Sequence, residues 1–311
     1  MRSRGQTAAE HQTQCSPSRS QMSATRFNAS TTNVDRAPPS PRPAAPGDDA
    51  CVAFLQWALP PAGLRWAGYR KVRRQVCRRL ARRVAALGLP DLAAYRAHLD
   101  AHPAEWAELA ALAPVTISRF ARDRAVWDAL AREVVPVLDD LARAGAPPAR
   151  PRAWSAGCAS GEEAYTLALL FRQMEVLATD VHPPVLERAR RAAYPASSLR
   201  ELTQAERETG FVRRGGEHAV RAEVAAHVTV AAHDLRREPP PRHGLELVLC
   251  RNVAFTYFAP DAQRTVLERL AAAVRPGGAL VTGLHEALPD PPAPFEPWPG
   301  ARAVYRRRLY G

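Results

Sequence analysis

A turn of small residues with the sequence WSAGCASGEE joins an apolar run to a helical pattern between Trp154 and Glu163. Gly157 and Gly161 let the backbone approach a ligand at points where any side chain would collide with it. Their spacing differs from the Gly-x-Gly-x-x-Gly dinucleotide fingerprint, and no Lys-Ser or Lys-Thr pair follows as in a P-loop. Acidic residues at the start of the helix would repel a phosphate and attract a cation such as a sulfonium. The alternative is a tight packing turn without a ligand.

Polar residues also stand at the ends of three later apolar runs. Asp180 lies about twenty positions after the glycine turn, where a carboxylate can accept hydrogen bonds from both ribose hydroxyls. The alternative is that Asp180 only caps the next helix. His233-Asp234-Leu235 follows the third run, and Arg251-Asn252 follows the fourth. These residues are expected at one ligand cleft, because ligands of open α/β sheets bind at the carboxyl ends of the strands.

An aromatic cluster follows Asn252 within a few positions and would wall the same cleft. Phe255 and Phe258 are expected to belong to the core. Tyr257 is favoured for a place in the site, because its hydroxyl needs a hydrogen-bond partner.

The elements that must position these residues follow from the hydrophobic periodicity after residue 152. Short apolar runs alternate with helical patterns, which predicts a parallel sheet with right-handed crossovers. The predicted strands are 153–156, 176–179, 228–231, 245–250, 279–282 and a last one within 301–309. The predicted helices are 162–171, 184–193 and 261–274. A polar stretch over about 199–226 interrupts the alternation and predicts a small inserted subdomain.

The part of the chain before residue 119 has a helical pattern. One apolar stripe predicts a helix over about 68–87. Its members are Val72, Val76, Leu80, Val84 and Leu87. The rest of that helix is rich in arginine, and residues 51–118 contain ten basic and four acidic side chains in a chain of net charge +12. We expect a basic, all-helical domain over 48–118, a linker helix over 119–150 and an α/β domain over 151–311.

The composition is that of an ordinary globular protein, with 46% hydrophobic and 24% charged residues. No apolar run reaches the roughly 18 residues of a membrane helix and no secretory signal is evident, so we expect a cytoplasmic protein.

The five cysteines are odd in number and form no Cys-x-x-Cys pair, which argues against a disulfide framework or a zinc site. His98 and His102 lack a third ligand, so no metal is expected. Residues 1–47, rich in Ser, Thr, Pro and Arg, are expected to form a disordered tail.

Taken in order, these motifs resemble those of one family, the CheR-type chemotaxis receptor methyltransferases. GCASGEEAY resembles the first motif of the family, and CRNV followed by Tyr-Phe resembles its fourth. VTISRFARD, at residues 115–123, resembles the segment that joins the two domains of the family. The resemblance covers about residues 51–311. It implies a small all-helical domain followed by a doubly wound, mostly parallel Rossmann-like methyltransferase sheet.

The resemblance also implies ligands and site residues. S-adenosylmethionine would be the methyl donor, and a glutamate of a chemoreceptor would be the acceptor. The expected donor-binding residues are Thr116, Ser118, Arg122, Gly157, Glu162, Asp180, Asp234, Leu235, Arg251 and Asn252. Arg122 and Tyr257 are expected beside the accepting carboxylate. The basic helix near 70–83 is expected to dock on the acidic helical cytoplasmic region of the receptor.

This chemistry suits the residues, because a carboxylate is already nucleophilic at neutral pH. Transfer then requires alignment and partial removal of water rather than a general base. An arginine can orient the carboxylate through two parallel hydrogen bonds. Two alternatives stay open: a methyltransferase of the same fold acting on another carboxylate or a small molecule, and a non-catalytic regulator whose basic helix binds an acidic partner or RNA. RNA is disfavoured because no aromatic stacking platform is evident, and a monomer is expected.

Overall fold

The computed structural model describes residues 48–113, 118–144, 150–290 and 294–309. The expected tail over 1–47 and the expected donor-binding residue Thr116 lie outside these ranges. Within them, the N-terminal part folds into five helices that we call the helical domain. They are α1 (Asp48–Ala58), α2 (Trp66–Tyr69), α3 (Arg73–Ala86), α4 (Leu92–Ala101) and α5 (Glu105–Leu112).

The basic helix α3 is shorter than its sequence pattern predicts. Its buried stripe consists of Val76, Leu80 and Val84. The predicted helix over 68–87 is broken between α2 and α3, and Val72 only precedes α3. Gly68 lies so close to the α/β domain that a Cβ atom there would collide with the carbonyl oxygen of Thr256. This close packing places α2 directly against the turn that contains Thr256.

A disulfide joins Cys51 of α1 to Cys77 of α3, two residues 26 positions apart in sequence. The sequence argument against disulfide pairing was therefore wrong. An odd number of cysteines does not exclude one bridge, and helix packing brings together cysteines that share no local motif. Cys158 and Cys250 are free and buried.

A buried carboxylate holds α3, α4 and α5 together. Glu105 is 7% exposed and accepts hydrogen bonds from Arg83 Nε at 2.8 Å, Arg83 Nη2 at 2.6 Å and the Tyr95 hydroxyl at 2.7 Å. The hydrogen bonds from Arg83 are the main reason that the pKa of Glu105 lies below its usual value, and Tyr95 acts in the same direction. Arg83 is thus committed to the helical core, although its position in the sequence suggests a surface residue.

A linking helical segment and the α/β domain follow. The segment contains α6 (Arg124–Ala129), a π-helical turn (Leu130–Val134) and α7 (Val135–Arg143). The π-helical turn precedes Pro136, which has no N–H group to continue the regular hydrogen-bond ladder.

The main strands are β1 (Arg152–Ala156), β2 (Glu175–Asp180), β6 (Val228–Ala232), β7 (Leu245–Cys250), β8 (Val274–Thr282), β9 (Phe295–Pro297) and β10 (Val304–Arg307). The helices beside them are α8 (Glu162–Leu170), α9 (Pro183–Arg191), α12 (Ala254–Tyr257) and α13 (Pro260–Ala273).

The main sheet has the order β6-β2-β1-β7-β8-β10-β9. Strands β6, β2, β1, β7 and β8 pair in parallel, whereas β10 and β9 pair antiparallel. From β1 the chain proceeds outward to β2 and β6, and it then returns to place β7 on the other side of β1. A crevice forms where the direction of winding reverses, at the carboxyl ends of the strands. The predicted fold class is confirmed.

The predicted boundaries differ from the observed ones in two places. Strand β8 begins at Val274, five residues before the predicted start at 279, so it includes the Pro-Gly-Gly sequence that resembles a turn. Gly278 is required there because a Cβ atom would lie 2.9 Å from the carbonyl oxygen of Glu246. The insert contains α10 (Gln204–Gly210), α11 (Ala222–Ala225), a 3₁₀ turn (Ala196–Leu199) and the strands β3 (Ala193–Tyr194), β4 (Phe211–Arg214) and β5 (Glu217–Val220). Because its antiparallel sheet has the order β3-β5-β4, the insert begins before the predicted residue 199.

Candidate active site

Two adjoining pockets form a cleft between the helical domain and the carboxyl ends of β1, β2 and β7. The first pocket is lined by residues that include Leu64, Tyr69, Gly157, Asp180, His182, Asp234, Leu235, Arg236, Asn252 and Tyr257. The second pocket is lined by residues that include Val72, Ser118, Arg119, Arg122, Gly157, Cys158, Glu163, Arg251, Asn252 and Tyr257. Because the two pockets share lining residues, they form one continuous site.

The glycine turn lies at the junction of the two pockets. Gly157 has a φ of +81°, and a Cβ atom there would lie 2.8 Å from a methyl group of Val253. Its N–H and that of Cys158 both donate to the carbonyl oxygen of Thr179, which ties the turn to β2. Gly161, at φ +91°, then precedes α8. Glycine is therefore needed at both positions for the backbone conformation of the turn and for its close packing against the protein.

Asp180 ends β2 and lines the first pocket. Its Oδ2 accepts a hydrogen bond from the N–H of Ala159 at 3.0 Å, and its Oδ1 accepts one from the N–H of His182 at 3.0 Å. Each carboxylate oxygen retains a second lone pair, so the group is oriented and can still accept from ligand hydroxyls. Burial lowers the pKa of His182, which keeps this lining imidazole neutral at pH 7.

The segment after β6 forms the far wall of the first pocket. Asp234 Oδ1 accepts a hydrogen bond from the N–H of Arg236 at 2.8 Å, which fixes the carboxylate at the start of the loop. Leu235 is 6% exposed and presents an apolar surface to the same pocket. A polar group beside an apolar wall is the arrangement that a planar heterocycle such as adenine requires.

Two consecutive carboxylates begin α8, and they occupy different environments. Glu162 is 4% exposed, and its Oε2 has no hydrogen-bond partner within the described residues. Burial raises the pKa of Glu162, while hydrogen bonds from Ser160 and Ser118 act against that rise. Glu163 lines the second pocket and accepts from the Ser155 hydroxyl at 2.8 Å. Glu162 therefore orients Ser160 and Ser118 from below, whereas Glu163 presents a carboxylate to the second pocket.

Arg251 organises the second pocket. Its side chain is 2% exposed and donates to the backbone oxygen of Arg122 at 3.0 Å, to Asp123 Oδ2 at 3.0 Å and to Glu163 Oε2 at 3.4 Å. Burial raises the pKa of Glu163, and the charges of Arg251 and then Arg122 oppose that rise. Both terminal nitrogens of Arg251 are therefore held by the protein, which fixes the guanidinium in the wall of the second pocket.

Tyr257 lies at the meeting point of both pockets and the helical domain. Its ring centroid is 4.9 Å from that of Tyr69. Burial raises the pKa of Tyr257, and the positive charge of Arg122 acts against this. The hydroxyl is therefore protonated at neutral pH and can donate a hydrogen bond. Phe255 is 1% exposed and belongs to the core, as its pattern predicts.

The structure brings together most of the predicted site residues. Those that line the cleft are Ser118, Arg122, Gly157, Asp180, Asp234, Leu235, Arg251, Asn252 and Tyr257. Glu162 does not line either pocket and lies behind the glycine turn, where it contacts Ser160.

Sequence reasoning missed the wall contributed by Leu64, Tyr69 and Val72, because no local motif marks residues of one domain that face another. It also missed Glu163, although the adjacent acidic pair was visible.

Comparison with known proteins identifies the class. A profile described as "CheR methyltransferase, SAM binding domain" matches residues 116–304. A second, described as "CheR methyltransferase, all-alpha domain", matches residues 71–112. The fold, the cleft and the first of these matches define an S-adenosylmethionine-dependent methyltransferase. The chain belongs to the CheR methyltransferase family, which confirms the resemblance read from the motifs.

Individual relatives agree with this assignment. The chemotaxis protein methyltransferase of Listeria monocytogenes is 33% identical over 190 residues, which are 59% of this chain and 70% of the relative. That of Escherichia coli is 30% identical over 229 residues, which are 69% of this chain and 76% of the relative. An uncharacterized 104.1 kDa protein of Rhodobacter capsulatus is 36% identical over 223 residues, but this chain spans only 23% of its length.

S-adenosylmethionine, expected from the resemblance, is confirmed as the cofactor by the family match. The residues present fit it independently. Asp180 presents a carboxylate to the first pocket beside the apolar surface of Leu235, as the ribose and the adenine of a nucleoside require. No helix in the described ranges is long and apolar enough to span a membrane.

Proposed function

We propose that this protein transfers methyl groups from S-adenosylmethionine to glutamate carboxylates of a chemoreceptor-like signalling protein. The observation that carries the proposal is the composition of the second pocket. Arg119, Arg122 and Arg251 line it together with a single carboxylate, Glu163. Arg119 pairs with Glu201, and Arg251 pairs with Asp123 and Glu163, but the lining itself has more basic than acidic side chains, which favours an anionic acceptor over an amine.

The first pocket supports binding of the donor nucleoside. We propose that Asp180 accepts hydrogen bonds from the ribose hydroxyls, and that Asp234 and Leu235 hold the adenine. Gly157 and Asn252 lie where the two pockets join and would flank the sulfonium. Ser118 and Arg251, which line the second pocket, would hold the amino acid end of the donor, and Glu162, hydrogen-bonded to Ser118, would position that residue from behind the glycine turn. Thr116 remains an expected contact outside the described residues.

Arg122 and Tyr257 are proposed to orient the accepting carboxylate. When bound, S-adenosylmethionine supplies an electrophilic methyl carbon on a sulfonium, which a carboxylate oxygen can attack without a general base. Arg122 can hold the carboxylate by two parallel hydrogen bonds, which restricts its rotation. Tyr257 retains its proton because burial raises its pKa, so it donates a hydrogen bond and does not compete as a nucleophile. The wall from the helical domain removes water from this end of the cleft.

The exposed face of α3 supports docking of an acidic helical partner. Arg73 is paired with Asp48, and Arg83 is paired with Glu105, so neither is a primary docking residue. Exposed basic side chains remain at spacings of three and four residues, and we call them the basic ridge. The ridge consists of Arg74, Arg78 and Arg82 of α3, together with Lys71 in the turn before the helix. A row with this spacing can follow the carboxylates along one face of an acidic helix.

The function is tested by methyl transfer from isotopically labelled S-adenosylmethionine to the acidic cytoplasmic helices of a receptor from the source organism. We expect a label that base treatment releases as methanol, as a methyl ester requires. Arg122→Ala should lower the rate of transfer by at least about a hundred-fold, because the carboxylate is no longer aligned. The matched control is Arg132→Ala, in which an exposed arginine of the π-helical turn is removed.

Two outcomes would contradict this proposal. If the protein binds the donor and no label reaches the receptor helices, the acceptor is a different molecule or the protein is a non-catalytic regulator. Base-stable label would indicate methylation of nitrogen or of another oxygen. Salt-dependent binding of RNA by the basic ridge, measured in parallel, would favour the regulatory alternative.

Docking by the basic ridge is tested by the triple charge reversal Arg74→Glu, Arg78→Glu and Arg82→Glu. We expect kcat/KM for receptor helices to fall by about ten- to a hundred-fold at low salt, with a smaller difference at high salt. Donor affinity should not change. The control is Arg143→Glu, Arg190→Glu and Arg264→Glu, which alters net charge equally at exposed sites elsewhere. Equal losses in both triple variants would show that only net charge matters.

A further inference from the structure

We infer that Glu286 is a positioning residue that sets the geometry of the turn carrying Asn252 and Tyr257. The inference rests on the proposed function insofar as it concerns the acceptor side of the cleft. Glu286 lines neither pocket, and it follows β8 in a different part of the sequence. Its charge helps to raise the pKa of Tyr257, and its hydrogen bonds act on the site through the turn.

The carboxylate of Glu286 binds three donors at once. Its Oε2 accepts hydrogen bonds from the N–H of Asn252 at 2.8 Å and from the N–H of Gly283 at 2.6 Å. Its Oε1 accepts one from the hydroxyl of Thr256 at 2.5 Å. The same side chain thus connects the beginning of the turn, its end and the loop after β8. Charge-assisted hydrogen bonds of this kind are stronger than those between neutral groups.

The turn needs external support because its own conformation is unfavourable. Asn252 has a φ of +56°, which is uncommon for a residue other than glycine. Helix α12 is only four residues long, too short to be stable by itself. Asn252 lines both pockets, and Tyr257 ends α12, so a shift of the turn would move two proposed site residues together.

The opposite side of the turn is held by the helical domain. Arg65 donates to the carbonyl oxygen of Thr256 at 3.0 Å and also to that of Phe255. Its backbone N–H donates to the carbonyl oxygen of Tyr257 at 2.9 Å. Arg65 therefore binds carbonyl groups, whereas Glu286 binds N–H and hydroxyl groups. With Glu286 removed, the turn would keep its hydrogen bonds to Arg65 and the buried side chains of Ala254 and Phe255, which predicts local displacement rather than global unfolding.

The test compares Glu286→Ala with Glu286→Gln. In the alanine variant all three acceptor contacts are lost, and we expect amide hydrogen exchange in residues 252–257 to accelerate at least ten-fold. In the glutamine variant, the amide oxygen can accept from the two N–H groups while its NH₂ donates to Thr256 Oγ1. Exchange in that variant should stay within about three-fold of the parent protein. Glu268→Ala, at an exposed position on α13, is the control.

Binding of S-adenosylhomocysteine, measured by calorimetry, supplies a second readout. We expect Glu286→Ala to weaken it three- to ten-fold through Asn252. In the transfer assay kcat should fall at least ten-fold, more than KM changes, and Glu286→Gln should restore most of it. An alanine variant with unchanged exchange in 252–257, or a glutamine variant as impaired as alanine, overturns the inference. Exchange and product binding require no acceptor, so they test Glu286 even if transfer to receptor helices fails.

Discussion

Gly157→Ala is expected to lower the affinity for the methyl donor by about ten- to a hundred-fold while leaving the protein folded. Two costs combine at this position. A non-glycine residue is disfavoured at a φ of +81°, and the new Cβ atom would lie 2.8 Å from a methyl group of Val253. Val253 lines both pockets, so the strain must be relieved by movement within the site itself.

A matched substitution separates these costs. Gly88 has a φ of +68° with no atom within 4 Å of a built Cβ, so Gly88→Ala has a comparable backbone cost without a collision. We expect Gly88→Ala to lower stability slightly and to leave binding of S-adenosylhomocysteine unchanged by calorimetry. The double variant Gly157→Ala with Val253→Ala should recover part of the lost affinity, because it removes the nearest methyl groups. Normal affinity in Gly157→Ala alone would show that the glycine turn does not contact the donor.

The fold class and the main strands could be predicted because their determinants are local. The strand β7 is buried along its whole length and was predicted without error, since six consecutive residues with little exposure leave a clear sequence pattern. Strand β8 was predicted too short, because Pro276 and the two following glycines resemble a turn. Gly278 is needed because a Cβ atom at this position would collide with the backbone of β7. This contact exists only in the folded sheet, so the local sequence does not reveal it.

Only the site residues that follow the ends of strands could be predicted from the sequence. Asp180, Asp234 and Arg251 each follow an apolar run, so their position at the edge of the sheet was evident before their contacts were known. The opposite wall depends on Tyr69 and Leu64, which contact residues nearly 200 positions later in the chain. Periodicity reports which side of a helix is buried, but it does not report which other part of the chain covers it.

The disulfide between Cys51 and Cys77 also had no sequence signal, because only the packing of the helices brings the two cysteines together. Its removal has the second large expected effect. Cross-linking residues 26 positions apart lowers the entropy of the unfolded chain, which stabilises the native state by about 3.5 kcal/mol. Replacing both cysteines by serine is therefore expected to lower Tm by about 10 °C. A thermal melt under non-reducing conditions measures this.

The closed loop contains residues 52–76, and with them much of the helical-domain wall of the cleft. Leu64, Tyr69 and Val72 line the pockets, and Arg65 binds the turn before Phe258. Loss of the bridge should therefore weaken binding of S-adenosylhomocysteine about three-fold as well as lowering Tm, because the wall becomes more mobile. Cysteine variants that lose stability without any change in binding would show that the bridge supports only the helical core.

Reductant supplies the internal control. Treatment with dithiothreitol should lower Tm of the parent protein and leave that of the double serine variant unchanged, because the other cysteines of the described ranges, Cys158 and Cys250, are buried and form no bridge. Mass spectrometry of a non-reducing digest should recover the peptides of Cys51 and Cys77 as one linked species. A parent protein whose melt is insensitive to reductant, with both thiols free, would contradict the bridge. Because reducing compartments disfavour disulfides, the same digest on protein taken directly from its source cells would show whether the bridge forms where the enzyme works.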